Sequence, residues 1–453
     1  MMSAEQNERV VRVGPGTPCG ALQRLYWQPI ALSEELPPER PLRAVRVLGQ
    51  DLVLFRDEAG RLGLLDRDCP HRGADLAYGR LEHGGLRCAF HGWLFDREGR
   101  CLETPAEPEG SRLCERIRQQ SYGVIEKNGV IWAYLGGGEP PALPRLDCFA
   151  APDAYSFAFK GHIDCNWLQA LEVGIDPAHV SFLHRFFEDE DQSTGYGKPF
   201  RANSIDGDVP MSRVVREYDR PTIEVDNTDY GLRLTTLRKL DAARTHIRVT
   251  NLIFPHAALI PLSETMTITQ WHVPVDDENC YWYALFTSFK DPVNKEEMRR
   301  QRLELYTLPD YKPRVGRHND WGYNAAEQKT QTFTGMGSDI NVHDNWAVES
   351  QGASTTARAS ISARPTRAFP PIAAFCSTPS RRRKRAKRRS CRAPTGMSFR
   401  SRWTASLPPT AGPNTGARPT RNAGARRPGK RDSDGRASAP QADRDPGRRR
   451  RGV

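Results

Sequence analysis

Two short motifs in this sequence carry residues that could bind a metal, Cys69-Pro70-His71 and Cys88-Ala89-Phe90-His91, with sixteen residues between His71 and Cys88. Thiolate and imidazole ligands suit zinc or an iron–sulfur centre. Structural zinc sites usually pair like ligands, C-x-x-C with H-x-x-H. Here each motif mixes one Cys with one His, as a [2Fe–2S] centre requires when two thiolates hold one iron and two imidazoles the other. A four-ligand zinc site is the competing reading of these spacings. Asp176, His179 and His184 form a second group, D-x-x-H-x-x-x-x-H. Histidines five residues apart lie about 140° apart around a regular helix, so they converge only where the helix is distorted or ends. Gly174 and Pro177 supply such an interruption. Alone this second pattern is weak, because paired helix histidines are more often structural or superficial.

Hydrophobic periodicity locates the elements that must position these groups. LRAVRVL and DLVLF alternate like strands, and DEAGRLGLL follows with another turn. GVIEKNGVIWAYLG (123–136) reads as a hairpin whose Asn128-Gly129 supplies the positive φ angles of a tight turn. A compact all-β unit over 41–150, after a lead-in over 1–40, therefore encloses the first two motifs. From Asp164, CNWLQALEVGIDPAHVSFLHRFF has helical spacing. YGLRLTTLRKL, HIRVTNLIF, ETMTITQWHVPV and CYWYALFTSF then read as successive strands, and NKEEMRRQRLELY and NVHDNWAVES as helices. Strands bracketed by helices predict an α+β domain over 151–352, built on an antiparallel sheet.

A chain of 453 residues can form two or three domains. It has no run of eighteen apolar residues and no apolar leader, so we expect a cytoplasmic protein that does not cross a membrane. Cysteines in that setting are mostly thiols, and Cys19, Cys101, Cys114, Cys148, Cys165 and Cys280 are expected to be buried small hydrophobes. The formal charge of +11 is unevenly distributed, with 26 Lys/Arg and 4 Asp/Glu after Gly352 against 40 and 51 before it. No G-x-G-x-x-G follows a strand and no plant-type ferredoxin cysteine pattern occurs, so flavin and nicotinamide chemistry is expected on a separate protein. The acidic body offers a face that a basic surface of that protein could dock.

The stretch CPHRGADLAYGRLEHGGLRCAFHGW (69–93) resembles Rieske domains, Gly73 and Trp93 included. With CNWLQALEVGIDPAHVSFLH and TFTGMGSDINVHDNWAVESQG (332–352), residues from about 15 to 352 resemble the α subunits of Rieske non-heme iron oxygenases. The most similar group is that of phthalate 4,5-dioxygenase. The resemblance implies a [2Fe–2S] cluster on Cys69, His71, Cys88 and His91, and a mononuclear Fe(II) on His179, His184 and Asp344. Such a 2-His-1-carboxylate face leaves positions open for O₂. Asp339 is a nearby competitor for the carboxylate. Asp176 matches the family's bridging carboxylate, which links an iron-ligating His to a Rieske His of the neighbouring subunit in a trimer. Asn166, Trp167 and Glu172 belong to the same motif, as packing or polar supporting residues. His162, His256 and His272 are expected to be ordinary structural histidines. The implied activity is hydroxylation, or oxidative demethylation, of a small aromatic substrate by O₂. NADH would act through a flavin-dependent reductase, and the assembly would be a homotrimer. A Rieske electron carrier without oxygenase chemistry is the alternative, and it leaves His179, His184 and Asp344 unexplained.

Residues 353–453 break the pattern. They are rich in Arg, Pro, Ser and Ala without apolar periodicity, which predicts a disordered basic tail. RRRKRAKRRS (381–390) would suit nucleic-acid binding, yet no aromatic interleaves it and no binding fold follows. A shifted reading frame accounts for the break better. Permitted codons for Gly352 to Arg381, read two bases later, spell RVYDRTREHLGATDKGVSAYRRLLLDAI, an amphipathic, family-like continuation. A protein so altered would keep its iron ligands and lose the helices that close the core, exposing apolar surface.

Overall fold

The computed structural model describes residues 3–189, 211–263 and 265–354, so the predicted disordered tail lies outside the described residues beyond Ser354. Strand β1 (Gln28–Leu32) opens the first β unit. It is followed by β2 (Leu42–Val47), β3 (Gln50–Arg56), β4 (Leu62–Asp66), β5 (Arg80–Glu82), β6 (Gly85–Arg87), β7 (Leu94–Asp96), β8 (Cys101–Glu103), β9 (Gly123–Lys127) and β10 (Val130–Tyr134). They form three small antiparallel sheets, in the orders β1-β10-β9, β2-β3-β4 and β5-β6-β7-β8. Asn128 and Gly129 take φ of 52° and 75°, the turn that the hairpin spacing predicts. β1 comes from the lead-in segment but pairs with β10, and Val10, Val11, Val13 and Leu22 ahead of it join the larger apolar core.

The second part is built on seven antiparallel strands, β11 (Ser156–Ile163), β12 (Thr222–Asn227), β13 (Gly231–Lys239), β14 (Thr245–Ile253), β15 (Ala257–Pro261), β16 (Met266–Pro274) and β17 (Cys280–Ser288). Their order is β11-β17-β16-β15-β14-β13-β12. Thr236 pairs with Arg248, Leu252 with Ala258, and Ala258 with Gln270. Side chains alternate across a strand, so Arg248, Leu252, Ala258, Gln270 and His272 share one face. The helix Trp167–Ile175 packs on that face. Gly174 makes the approach possible, because a Cβ there would stand 2.8 Å from Gln270 Nε2 and 2.9 Å from His272 Nε2. The helices expected over 294–306 and 341–350 are Lys295–Leu305 and Ile340–Glu349.

Two apolar cores result. A small one holds Phe55, Leu65, Leu86, Trp93 and Phe95 around Cys69 and Cys88; the larger one fills the space about the seven-stranded sheet. Buried Lys160 on β11 ties them together, pairing with Glu35 at 2.7 Å, which Arg43 on β2 also reaches at 3.0 Å. Cys19, Cys101, Cys148, Cys165 and Cys280 are buried as expected, whereas Cys114 is partly exposed because its short helical turn lies on the rim of the small core. Among the described residues, no helix is long and apolar enough to cross a membrane.

Candidate metal centres

Each Cys/His motif closes into a tight loop. Gly73 N–H donates to the Cys69 carbonyl at 2.8 Å, and Gly92 N–H to the Cys88 carbonyl at 3.0 Å. Both glycines have positive φ, 69° and 75°, where a side chain would be strained. Cys69 and Cys88 are buried and free of disulfide. Burial pushes the Cys69 thiol up to about 11, with the neighbouring Cys88 adding to the shift. The His71 and His91 rings stand 4.5 Å apart, and His71 stacks on Trp93 at 4.5 Å and 6°. The thiols thus lie in the core and the imidazoles nearer the surface, beside Phe90, which is 62% exposed. Two adjacent buried sulfurs become thiolates only opposite a cation, so the donor set fits a cluster bound by two sulfurs and two nitrogens.

The second group forms where the helix Trp167–Ile175 fails. The Asp176 amide closes the last turn on the Glu172 and Val173 carbonyls, Pro177 follows, and one short turn, His179–Ser181, brings His179 back toward His184. His179 Nε2 and His184 Nε2 are 3.2 Å apart. Asp344 Oδ1, from the helix Ile340–Glu349, lies 3.2 Å from His184 Nε2 and 3.7 Å from His179 Nε2. That oxygen is buried without a hydrogen-bond partner among the described residues. Ligand atoms side by side on an octahedral metal with ~2.1 Å bonds stand about 3 Å apart, so these three atoms suit one cation. Burial opposes ionisation of Asp344, but the three histidines around it outweigh burial and hold its carboxyl below the usual range. Burial also lowers the pKa of His184, against the pull of Asp344, and favours the neutral imidazole a metal needs.

Asp176 has two roles in this loop. Its Oδ1 accepts from the Ala178 amide at 2.8 Å, the turn-forming contact, while Oδ2 faces His179 Nδ1 at 3.8 Å. Asp339 stands apart from the histidine pair, capping its helix through the Asn341 amide at 3.0 Å. Asn166 is a structural clasp whose side chain donates to the Val11 and Asp277 carbonyls. Trp167 is buried, and burial raises Glu172 to about 7.

The space beside the second group is polar. Asp344 keeps 31% of its side-chain surface accessible. Arg248 is partly buried, and its charge disfavours protonation of His184. Its Nε has no partner among the described residues, and its single hydrogen bond there, to the Pro261 carbonyl, is 3.5 Å long. Burial, with Arg238 nearby, lowers its pKa to about 10. Arg238 by contrast is anchored on the Pro177 and Tyr218 carbonyls. His256 and His272, expected as structural histidines, are buried with both ring nitrogens of each unpartnered among the described residues.

Sequence reasoning passed over Arg248 and His343. In HIRVTNLIF the positions 246, 248 and 250 are polar, which reads as a solvent face; only the packed helix shows that this face is internal. His343 precedes Asp344 on one helix, and its contact with His184 at 3.4 Å joins elements 159 residues apart.

Comparison with known proteins agrees with both halves. Residues 26–123 match the Rieske [2Fe-2S] domain, and residues 148–353 match a "LigXa C-terminal domain like" family. The phthalate 4,5-dioxygenase oxygenase subunit of Pseudomonas putida is 34% identical over 351 residues, covering 74% of this chain and 76% of that protein. The tert-butanol monooxygenase / tert-amyl alcohol desaturase oxygenase subunit of Aquincola tertiaricarbonis is 36% identical over 310 residues, covering 66% and 63%. Dicamba monooxygenase bound to dicamba has the same fold at 20% identity, with a TM-score of 0.52 over 81% of this chain and 97% of that one. With a Rieske domain followed by this catalytic fold, and a relative aligned across three-quarters of its length, the chain belongs to the Rieske non-heme iron oxygenases, among the oxygenase subunits related to phthalate 4,5-dioxygenase.

Proposed function

We propose that the protein is a cytoplasmic terminal oxygenase, working as a homotrimer with a flavin-dependent reductase that draws on NADH, and that its substrate is a carboxylated aromatic. Cys69, His71, Cys88 and His91 hold the [2Fe–2S] cluster; His179, His184 and Asp344 hold the mononuclear iron. When bound, the cluster relays electrons singly and the ferrous iron activates O₂ for hydroxylation or oxidative demethylation. The chain's own contribution is placement. Pro177 and the turn at His179 aim two imidazoles at one point, and Asp344 adds the single negative charge there. Asp176 holds the loop through Ala178 while its second oxygen faces His179 Nδ1 at 3.8 Å, from where it would bridge to a Rieske histidine of the neighbouring subunit.

The carboxylate reading is carried by Arg248, a partly buried guanidinium whose Nε is buried without a partner among the described residues and whose charge acts on His184. An enclosed arginine is stabilised by an anion that accepts its free N–H groups. A carboxylate anchored there would place the ring beside the iron ligands. Hydrogen bonds to a charged group contribute about 1.5–3 kcal/mol, so Arg248→Gln should raise KM for phthalate roughly 10- to 100-fold while iron content is unchanged. KM for the neutral dimethyl ester should not move. An unchanged KM for phthalate in the variant refutes the carboxylate reading and favours a neutral substrate, like the alcohol for which one relative is named.

The shifted reading frame is part of the same proposal. The catalytic-domain match stops at residue 353, beside the break seen after Gly352. Resequencing the gene around codon 352 is expected to show one inserted or deleted stretch that restores the family-like continuation. Independent reads that agree on the present frame would overturn this.

A further inference from the structure

We infer that Gln169 and Glu349 are positioning residues: together they brace the two helices behind the iron ligands and so set Asp344 against the histidine pair. The inference rests on the proposed iron ligands. The helix Trp167–Ile175 leads into the turn that carries His179, and the helix Ile340–Glu349 carries Asp344. The two helices pack on one another. Gln169 is 5% exposed, and its Nε2 donates to the Val348 and Gly352 carbonyls, at 3.1 Å each. Both partners can only accept, so the orientation of the amide is settled by its surroundings. Val348 stands one turn beyond Asp344 on the same helix face, about 6 Å along the axis. A carbonyl held at Val348 therefore fixes how far Asp344 reaches along its helix and around it.

Glu349 holds the same helix end from the other side. It is 1% exposed; its Oε1 accepts from the Asp164 amide at 3.2 Å and its Oε2 from Trp321 Nε1 at 2.8 Å. The amide of Asn166, which caps the first helix, donates to the Ala353 carbonyl at 2.8 Å. Four hydrogen bonds thus join residues 164–169 to residues 348–353. The acceptor at Ala353 is backbone, so the brace needs no side chain from beyond the break after Gly352. What it protects is a tight geometry: Asp344 Oδ1 must stay 3.2 Å from one imidazole nitrogen and 3.7 Å from the other. A misplacement of about 1 Å, even one caused far from the chemistry, can cost a site about 100-fold.

The test uses the full chain purified anaerobically. Fe(II) is titrated back after chelation, EPR is recorded for the reduced cluster and for the nitric oxide adduct of the ferrous centre, and thermal unfolding reports stability. Gln169→Met keeps the length of the side chain and removes its N–H donors. It is expected to weaken Fe(II) binding roughly 10- to 100-fold and to change the rhombicity of the nitrosyl signal, with the cluster signal unaltered. Trp321→Phe removes only the N–H that Glu349 Oε2 accepts, and should move both iron readouts the same way by less. If Gln169→Met does not fold, Trp321→Phe alone decides. Leu54→Ala opens a cavity in the same apolar core, on β3, and should lower the melting temperature while both iron readouts keep their parent values. Parent-like affinity and nitrosyl signal in Gln169→Met and Trp321→Phe would overturn the inference. So would an equal loss of Fe(II) affinity in Leu54→Ala, which would reduce the brace to general stability. A parent protein with a full cluster and no further iron would refute the ligand assignment, and this inference with it.

Discussion

The His184→Ala variant is expected to keep its Rieske cluster and lose its mononuclear iron, and oxygenation should fall by more than about 1,000-fold. Iron should drop from about three to about two per chain, with two acid-labile sulfides in both proteins. The reason is the economy of the centre. Three side-chain atoms meet at His179, His184 and Asp344, and each stands within 4.8 Å of the others. With one removed, His179 and Asp344 remain, 3.7 Å apart, and cannot define a facial set. Losing a metal that supplies several kcal/mol of barrier lowering accounts for the size of the effect. The cluster lies in its own apolar core, so its EPR signal is the internal control. Turnover within tenfold of the parent, or a retained third iron, would show that this group is not the oxygenation centre.

Asp176→Asn should separate electron delivery from both metal sites. Oδ1 is committed to the Ala178 amide, and an asparagine oxygen can keep that bond, so the loop and His179 should stay in place. What disappears is the negative charge at Oδ2. Burial opposes that charge, yet His179 and the amides of Ala178 and His179 hold the carboxyl below its usual range, so it is ionised in the parent. Cluster and iron contents should be normal and reduction of the cluster by dithionite unchanged. Turnover, and reoxidation of the reduced cluster on mixing with O₂ and substrate, should slow roughly 100-fold, the upper range for groups supporting a metal ligand. Reoxidation at the parent rate in stopped flow would confine Asp176 to its turn-forming bond.

How much of this was legible in the chain varies with the physics behind each feature. The β unit and the helix Trp167–Ile175 declared themselves because periodicity and turn chemistry are local. LRAVRVL alternates, Asn128-Gly129 demands a tight turn, and Pro177 must end a helix. The mixed Cys/His spacing was legible for the same reason. Asp344 over Asp339 could not be chosen from spacing; the structure separates them because one lies in the helix and the other caps it. Arg248 was opaque because a polar residue on a strand has no sign saying which face is covered. His343 was opaque because its partners are a carbonyl six residues back and a histidine far along the chain.

Gly174 bears on how such an enzyme could change its diet. The helix Trp167–Ile175 rests so closely on the sheet that even a methyl group at Gly174 would press on the side-chain ends of Gln270 and His272. A bulkier residue there would first displace the side-chain ends of Gln270 and His272, and so reshape the wall beside the helix. Freedom to diverge lies across from it, on strands whose inward residues can be exchanged without moving the backbone. Laboratory evolution toward new substrates should collect its mutations at Arg248, Gln270 and His272, and change Gly174 only together with Gln270 or His272.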